Sequence, residues 1–304
     1  RGAPGRLVHN DTMQQLLIAV ALGLFSFGPL QEATAKEPKG LRVITYNVHA
    51  WGPIASTEGG KARIGRVRRH HQVLARLALE LQLYDVDVIA LQEAHSEERV
   101  RELASLLDME FAYFPGGWKG AGWEEGISGA ILSRVPILER SNRPGIDPEI
   151  PEDELFSRCL GRVLLQHGDE QVAVFCAHML PSWENTTHIR EAEIGALAEA
   201  VSSDRAKGRS ALVLGDMNHE PGAPEYRLWA THALIDTCER AGTASLTCPS
   251  TDPTERIDYV FAAGPMASRL VSARTLNEGA FRTSKDDPNS FALSDHLPVL
   301  SVFK

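Results

Sequence analysis

The chain has 304 residues, of which 43% are hydrophobic, 23% charged and 7% aromatic. That is an ordinary globular composition, and it excludes a disordered chain, a collagen-like fibre and a multi-span membrane protein. The formal net charge of −9 disfavours a tight general nucleic-acid binder, which carries a basic excess, yet leaves open an enzyme with a locally basic groove.

The first residue is Arg1, and Met13 reads as the biological start. Leu16 to Leu30 is an apolar stretch broken by Gly and Pro, too short to span a bilayer comfortably, and Ala33-Thr34-Ala35 follows with small–x–small spacing. Residues 1–35 are therefore expected to be a leader carrying a signal peptide cleaved after Ala35. The mature chain is expected to be exported, to a bacterial periplasm or the medium, with no stable membrane span. One departure is that no Lys or Arg lies between Met13 and the apolar run. Four cysteines follow the leader, and an oxidising compartment permits disulfides. Cys238 and Cys248 bracket a polar, Gly-containing loop and are the expected pair, whereas Cys176, inside an apolar run, reads as a buried free thiol. No Cys-x-x-Cys or Cys/His spacing points to structural zinc.

After a polar link over 36–40, residues 41–304 are expected to form one domain, since no repeat or linker divides them. Leu41 to Tyr46 reads as a strand. Arg63 to Leu83 is expected as one long helix, with Val67, Leu74, Leu77, Ala78 and Leu81 at helical spacing. Its Arg66, Arg68, Arg69, His70 and His71 read as a solvated face. Val86 to Leu91 is the next strand, and a helix is expected near Glu97 to Leu107. Residues 115–128 carry five Gly and two Trp and read as a loop. Ala130 to Leu132 and Val163 to Leu165 are strands, and His167-Gly168-Asp169-Glu170 turns the latter into a hairpin partner over Gln171 to Ala177. A helix over Asn185 to Val201 and strands over Ala211 to Leu214, Arg256 to Ala262 and Leu297 to Phe303 complete the set. Hairpins mixed with crossover helices imply α/β layers with mixed sheets.

Polar residues recur where apolar strands stop. Asn47, Glu93 and His178 each follow such a run, as do Asp216 and Asn218; Asp258 lies in Arg256 to Phe261, and Asp295 and His296 precede the final strand. Any one of these is an ordinary turn or hydrogen-bonding residue. Together they supply carboxylates, amides and two histidines, with no Ser or Cys nucleophile in an activating context. That inventory suits metal-assisted hydrolysis of a phosphoester: a hard Mg²⁺ or Mn²⁺ takes one or two carboxylates plus water and phosphate. A His can stabilise charge on a phosphoryl oxygen, and a His paired to Asp can act as base or stabiliser.

Six segments occur in order: Thr45-Tyr46-Asn47-Val48-His49, Leu91-Gln92-Glu93, Ala130-Ile131-Leu132-Ser133-Arg134, Gly215-Asp216-Met217-Asn218, Arg256-Ile257-Asp258-Tyr259-Val260 and Ser294-Asp295-His296-Leu297-Pro298-Val299. The set resembles the endonuclease/exonuclease/phosphatase superfamily, which includes pancreatic deoxyribonuclease, abasic-site endonucleases, inositol polyphosphate 5-phosphatases and bacterial sphingomyelinases. The resemblance spans residues 41–304 and implies a four-layered α/β sandwich, two mixed β-sheets packed face to face with outer helices. It implies Glu93 as the principal ligand of a Mg²⁺ (or Mn²⁺) ion, with Asn47 and Asp295 beside it. It implies that Asp216 orients or activates the attacking water or protonates the leaving oxygen, with Asn218 as its phosphate-side amide partner. His178 resembles the phosphate-binding histidine, and His296 paired with Asp258 the dyad facing the scissile phosphate. Arg158 is the candidate phosphate-contacting arginine, with Arg162 as its rival. The chain departs from the family at Ser128-Gly129-Ala130, where Gly-Asn-Ala is frequent, and at Met179-Leu180-Pro181 after His178. It departs again at Cys248, where an aromatic residue is frequent; this last change favours the bridge to Cys238.

Trp51, Trp118, Lys119, Trp123 and Trp183 are candidates for contact with bases but lie in no basic-rich run, and Glu124 and Glu125 oppose a phosphate backbone beside Trp123. Nothing between Asp258 and Asp295 is apolar enough for the membrane-entering hairpin of a bacterial-type sphingomyelinase, and short loops suit a compact ligand. The expected activity is divalent-metal-dependent hydrolysis of a phosphodiester or phosphomonoester by water attack at phosphorus. The alternatives are an exported nuclease acting on DNA or RNA and, in a different class, a non-catalytic binding protein on the same scaffold.

Overall fold

The computed structural model describes residues 40–119, 124–151, 154–182 and 185–304. The leader, Trp123 and Trp183 lie outside them. In chain order the elements are β1 (Leu41–Asn47), α1 (Glu58–Arg69), α2 (Val73–Gln82), β2 (Val88–Gln92), α3 (Glu97–Leu107), β3 (Glu110–Phe114), β4 (Gly129–Ser133) and β5 (Ile137–Asn142). There follow β6 (Cys159–His167), β7 (Glu170–His178), α4 (Thr187–Ala206), β8 (Ser210–Asp216), α5 (Pro224–Thr231), β9 (Leu234–Asp236) and α6 (Thr237–Ala241). The last are β10 (Asp258–Ala263), α7 (Pro265–Ser268), β11 (Leu270–Thr275) and β12 (Val299–Phe303).

Two six-stranded sheets result, in the orders β11-β12-β1-β2-β4-β3 and β5-β6-β7-β8-β10-β9. Each is mixed, with a parallel pair (β1 with β2, β7 with β8) among antiparallel neighbours. The sheets face each other across Val43, Val88, Ala90 and Ile131 on one side and Val163, Val174, Leu212, Leu214 and Val260 on the other. Their outer faces are equally apolar: Ile44, Ile89 and Leu91 pack under Leu74, Leu77, Val100 and Leu103 of α2 and α3. Phe175, Val213 and Phe261 pack under Ile194, Leu197 and Trp229 of α4 and α5. Strands covered on both faces explain the continuous apolar runs, where a half-exposed sheet would show alternation. Truncating Leu214, wholly buried between the sheets, to Ala would cost about 2–5 kcal/mol. The architecture is the four-layered α/β sandwich that the resemblance implied.

Three expectations need correction. The single helix over Arg63 to Leu83 is two helices, because His71 adopts φ 51° and breaks the ladder between α1 and α2. The first of these begins earlier, at Glu58, where the Thr57 hydroxyl caps it by accepting from Gly60 N at 3.1 Å. Cys238 and Cys248 are not bridged, and all four cysteines are free thiols. Cys238 sits in the first turn of α6, buried in the core between the sheets, while Cys248 faces His296 with Sγ 3.8 Å from Nε2. Finally, Trp51 is buried, and its indole N–H donates to the His95 carbonyl, so it offers no face for stacking.

Candidate active site

Strand register explains why residues far apart in sequence meet. On β7, β8 and β10, His178 pairs with Asp216 and Asp216 with Asp258, so three polar side chains stand in one row at the end of the second sheet. Cys159 of β6 pairs with His178, which brings Arg158, one residue earlier, to the same rim. In the first sheet Asn47 pairs with Gln92, so Asn47 and Glu93 leave parallel strands side by side. Because β12 runs antiparallel to β1, the segment entering β12, with Asp295 and His296, arrives at that same end. Gly215, just before Asp216, is required for close approach, since a Cβ there would lie 2.0 Å from the Ala177 carbonyl oxygen.

Asp216 is the focus. Its Oδ2 accepts from Asn47 Nδ2 at 3.0 Å, across the gap between the sheets, and lies 3.4 Å from His178 Nε2 and 3.8 Å from His296 Nε2. Its Oδ1 accepts from the backbone N–H of Asn218 at 3.0 Å, while the Asn218 amide donates to the Met179 carbonyl at 2.9 Å. Asn218 and Glu93 both hold left-handed backbone conformations, φ 51° and 54°, a cost that persists where surrounding structure imposes it. Asp216 is buried, and burial together with the neighbouring Asp258 charge pushes its carboxyl up to about 7, against the pull of His296, Asn47 and Arg158.

His296 Nδ1 lies 2.9 Å from Asp258 Oδ2. Burial opposes a charge on this imidazole, but the Asp258 carboxylate and its hydrogen bond override that and hold it well above the ordinary histidine range. His178 has the opposite fate: burial, then the positive charges of Arg158 and His296, hold it well below that range. Arg158 Nη1 lies 2.6 Å from His178 Nε2. A guanidinium can only donate, so Nε2 accepts here and Nδ1 carries the proton. Two buried atoms, His178 Nδ1 and Asp258 Oδ1, have no hydrogen-bond partner among the described residues. One cationic and one neutral imidazole thus flank an acid that can gain or lose a proton near neutrality.

The partly exposed carboxylates lie at the mouth. Glu93 Oε1 is 3.4 Å from Asn47 Nδ2 and 3.5 Å from Arg158 Nη1, with 17% of its side chain exposed. Asp295 retains 32% side-chain exposure and accepts from the Ser294 hydroxyl at 3.2 Å. Ser294 also donates to the Asn47 carbonyl, so one hydroxyl ties the two segments. Asn47 presents nitrogen to both Glu93 and Asp216, because its Oδ1 accepts from His49 N at 3.0 Å. Among the described residues, the acids and histidines close enough to share one ion are Asp216, Asp258 and His296, with ligand atoms within 4.8 Å of one another.

Asn47, Glu93, Arg158, His178, Asp216, Asn218, Asp258, Asp295 and His296 therefore all lie at this rim, whereas Arg162 does not. Arg162 points to the outer layer, where Nε and Nη2 make a bidentate pair with Asp204 of α4 at 2.7 and 2.6 Å. Two neighbours escaped the sequence reading as site residues. His49 Nε2 lies 3.6 Å from Asp295 Oδ2, although its segment had been noted; Cys248, read as a disulfide partner, borders His296. A polar residue two positions after the strand-end Asn47 was the one local signal for His49, and Cys248 carried none.

A sequence profile described as Endonuclease/Exonuclease/phosphatase family matches residues 57–296. A Caenorhabditis elegans protein named "Putative neutral sphingomyelinase" is 28% identical over 213 residues, covering 64% of this chain and 45% of its own length. The chain thus spans about half of that relative. Among solved structures, a Bacteroides thetaiotaomicron endonuclease/exonuclease/phosphatase family protein superposes with TM-score 0.67 at 19% identity, covering 88% of this chain and 96% of the other. A mannosyl-6-phosphatase from Bacteroides thetaiotaomicron VPI-5482 gives 0.66 at 18% identity, over 87% and 100%. The human Nocturnin catalytic domain gives 0.62 at 19%, over 87% and 94%. At these identities the structural likenesses establish the fold.

Proposed function

The chain belongs to the endonuclease/exonuclease/phosphatase family, and from that premise we propose that it is an exported, divalent-metal-dependent phosphoesterase that hydrolyses its substrate by water attack at phosphorus. The observation that carries this reading is the convergence on Asp216 Oδ2 of Asn47, His178 and His296 from both sheets, at 3.0, 3.4 and 3.8 Å. No serine or cysteine nucleophile is needed when a buried carboxylate with its acidity shifted up to about 7 can take a proton from water.

The donor set fits a hard cation. Glu93 and Asp295 are the partly exposed carboxylates, while Asp216 and Asp258 are buried. Mg²⁺ and Mn²⁺ favour oxygen donors, and Mg²⁺ dehydrates reluctantly, keeping several waters alongside one or two carboxylates. Glu93 and Asp295 would hold the ion, with Asn47 beside them, and the bound metal would polarise a phosphoryl oxygen. Arg158 and His178 form the phosphate-binding pair: the guanidinium supplies the charge, and the neutral imidazole, accepting from it through Nε2, holds it in place. His296, kept cationic by Asp258, donates to the oxygen on which charge builds. Asp216 takes the proton of the attacking water, with its two oxygens fixed by Asn47 and by the Asn218 backbone.

A second reading narrows the substrate to a phosphodiester lipid headgroup. The 28% identity to the C. elegans chain named for sphingomyelinase favours it, although Val271 is the one large apolar side chain well exposed on β11. The test is hydrolysis by the full chain of bis-p-nitrophenyl phosphate, p-nitrophenyl phosphate, mannose 6-phosphate, sphingomyelin in vesicles, plasmid DNA and RNA, each with Mg²⁺, Mn²⁺, Ca²⁺ or EDTA. Turnover that EDTA abolishes and Mg²⁺ or Mn²⁺ restores is expected, with D216A and H296A at least about 10³-fold slower. Silence across the panel would favour a binding protein on this scaffold, and EDTA-resistant turnover would refute the metal. Release of a chain beginning at Lys36 into the periplasm or medium tests export.

A further inference from the structure

One turn of α4 projects Arg190 and Glu193 inward, both buried, behind the wall that carries Arg158 and His178. The two carboxylate oxygens of Glu193 serve different segments. Oε1 accepts from Phe156 N at 2.8 Å, two residues before Arg158, and Oε2 accepts from Leu180 N at 3.3 Å, two residues after His178. Arg190 grips the second segment again: Nη1 donates to the carbonyls of Leu180 and Pro181 at 3.2 and 2.9 Å and to Thr186 Oγ1 at 3.0 Å. Its other edge is seated on Glu225 Oε1 of α5, through Nε at 2.9 Å and Nη2 at 2.6 Å.

Resting on the phosphoesterase reading above, we propose that Glu193, braced by Arg190, is a positioning residue that sets the spacing of the phosphate-binding pair Arg158 and His178.

The physical argument is one of constraint. Arg158 precedes β6 and His178 is in the last β6–β7 pair, with Cys159, so beyond this pair the ladder no longer holds the two chains together. Phe156 is held at φ 52°, a left-handed conformation that a non-glycine residue keeps only under restraint. A single rigid carboxylate bound to both flanking N–H groups fixes the distance between the two segments, and therefore the 2.6 Å approach of Arg158 Nη1 to His178 Nε2. Burying a carboxylate in this wall is costly, and burial pushes it up to about 7 against the pull of the two N–H groups, Arg190 and Arg158. A simple helix-to-sheet contact would be served as well by an apolar side chain.

The test uses the full chain, its metal and the best phosphoester of the panel, at pH 8, where the carboxylate is ionised. E193Q keeps size and shape but replaces one accepting oxygen with NH₂, so one of the two N–H groups loses its anchor. In the native background kcat/KM is expected to fall about tenfold or more. In an R158A background the same substitution is expected to cost less than threefold, because the group it positions is already gone. Equal losses in both backgrounds, or no loss in the native one, would overturn the inference, since a merely structural role predicts additivity. If E193Q does not fold, E193D replaces it in the same cycle: it keeps the charge but is one methylene too short to reach both the Phe156 and Leu180 N–H groups, and the same non-additivity is expected. A wild-type chain inactive on every phosphoester would bring down the functional reading and this inference together; an active one with additive losses would bring down this inference alone.

Discussion

Replacing Asp258 with Asn separates charge from shape at the candidate active-site rim. At 2.9 Å and an effective dielectric of about 20, the attraction between the carboxylate and an imidazolium is about 6 kcal/mol. That is enough to offset the several kcal/mol that burial charges to one ion, so His296 is cationic in the native protein. An Asn at 258 can still accept from Nδ1–H through its carbonyl and turn its NH₂ toward the position of Oδ1, which has no partner among the described residues. Geometry is kept while the charge is lost, and His296 becomes neutral. With its cationic donor gone, kcat/KM is expected to fall about 10²–10³-fold, or about 3–4 kcal/mol of transition-state stabilisation. The fold persists. Because the His296 acidity is shifted upward, the stability from this pair is complete below the unfolded-state value near 6.5 and is lost as pH rises through the folded value. The variant's deficit in urea unfolding should therefore be largest in acid and shrink in alkali. The assay is metal-dependent phosphoester hydrolysis at pH 7, paired with ¹⁵N imidazole shifts of His296. A variant retaining more than a tenth of native activity, or a His296 still cationic at pH 7, would refute the reasoning.

The two arginines entering β6 should dissociate stability from activity. R162M strands Asp204 with Arg209 as its remaining partner and is expected to cost about 3 kcal/mol in urea unfolding with kcat/KM within about twofold; R158M is expected to do the reverse, slowing turnover about 10²-fold. Thiol titration of unreduced, denatured protein should count four free thiols, matching four unbridged cysteines, and a count of two would restore the Cys238–Cys248 bridge. His219 accepts from the Trp229 indole N–H at 3.0 Å and is lowered by burial to about 4. Folding should lose about 3 kcal/mol as pH falls from 6.5 to 4, since the unfolded histidine takes up a proton that the folded one refuses. H219Q, which keeps an acceptor but cannot titrate, should shrink that loss in urea melts at pH 7.5 and 4; an unchanged loss would place the acid sensitivity elsewhere.

The family and its architecture were legible in the chain because strand-end polar residues are punctuated by apolar runs. A strand buried on both faces writes itself as Leu212-Val213-Leu214, and the residue that follows it must lie on the rim. Asn47, Glu93, His178 and Asp216 were thereby placed at strand ends and His296 just before a strand, before any pairing was known, whereas Asp258 read as lying within a strand that in fact begins there. Strands with mixed patterns, such as β3, β5 and β11, were not legible. Half-exposed edge segments like Ile137–Asn142 bury too few side chains to carry a signal, and their β identity comes from the ladder they join.

Tertiary structure alone decided what each residue does at the rim. Arg158 and Arg162 are four residues apart and alike in sequence, but one follows the register to His178 while the other meets Asp204 on a distant helix. His178 and His296 are the same chemical group, yet a guanidinium beside one and a carboxylate beside the other drive their protonation in opposite directions. Two cysteines ten residues apart are divided between an interior core and the candidate active-site rim, because α6 turns the first inward. Local sequence encodes which side chains are apolar and where strands stop. Charge, protonation and pairing depend on neighbours brought in by chain reversals, 20 residues between Arg158 and His178, 38 between Asp258 and His296 and 169 between Asn47 and Asp216, and those are settled only when the strands pair and the two sheets close on each other.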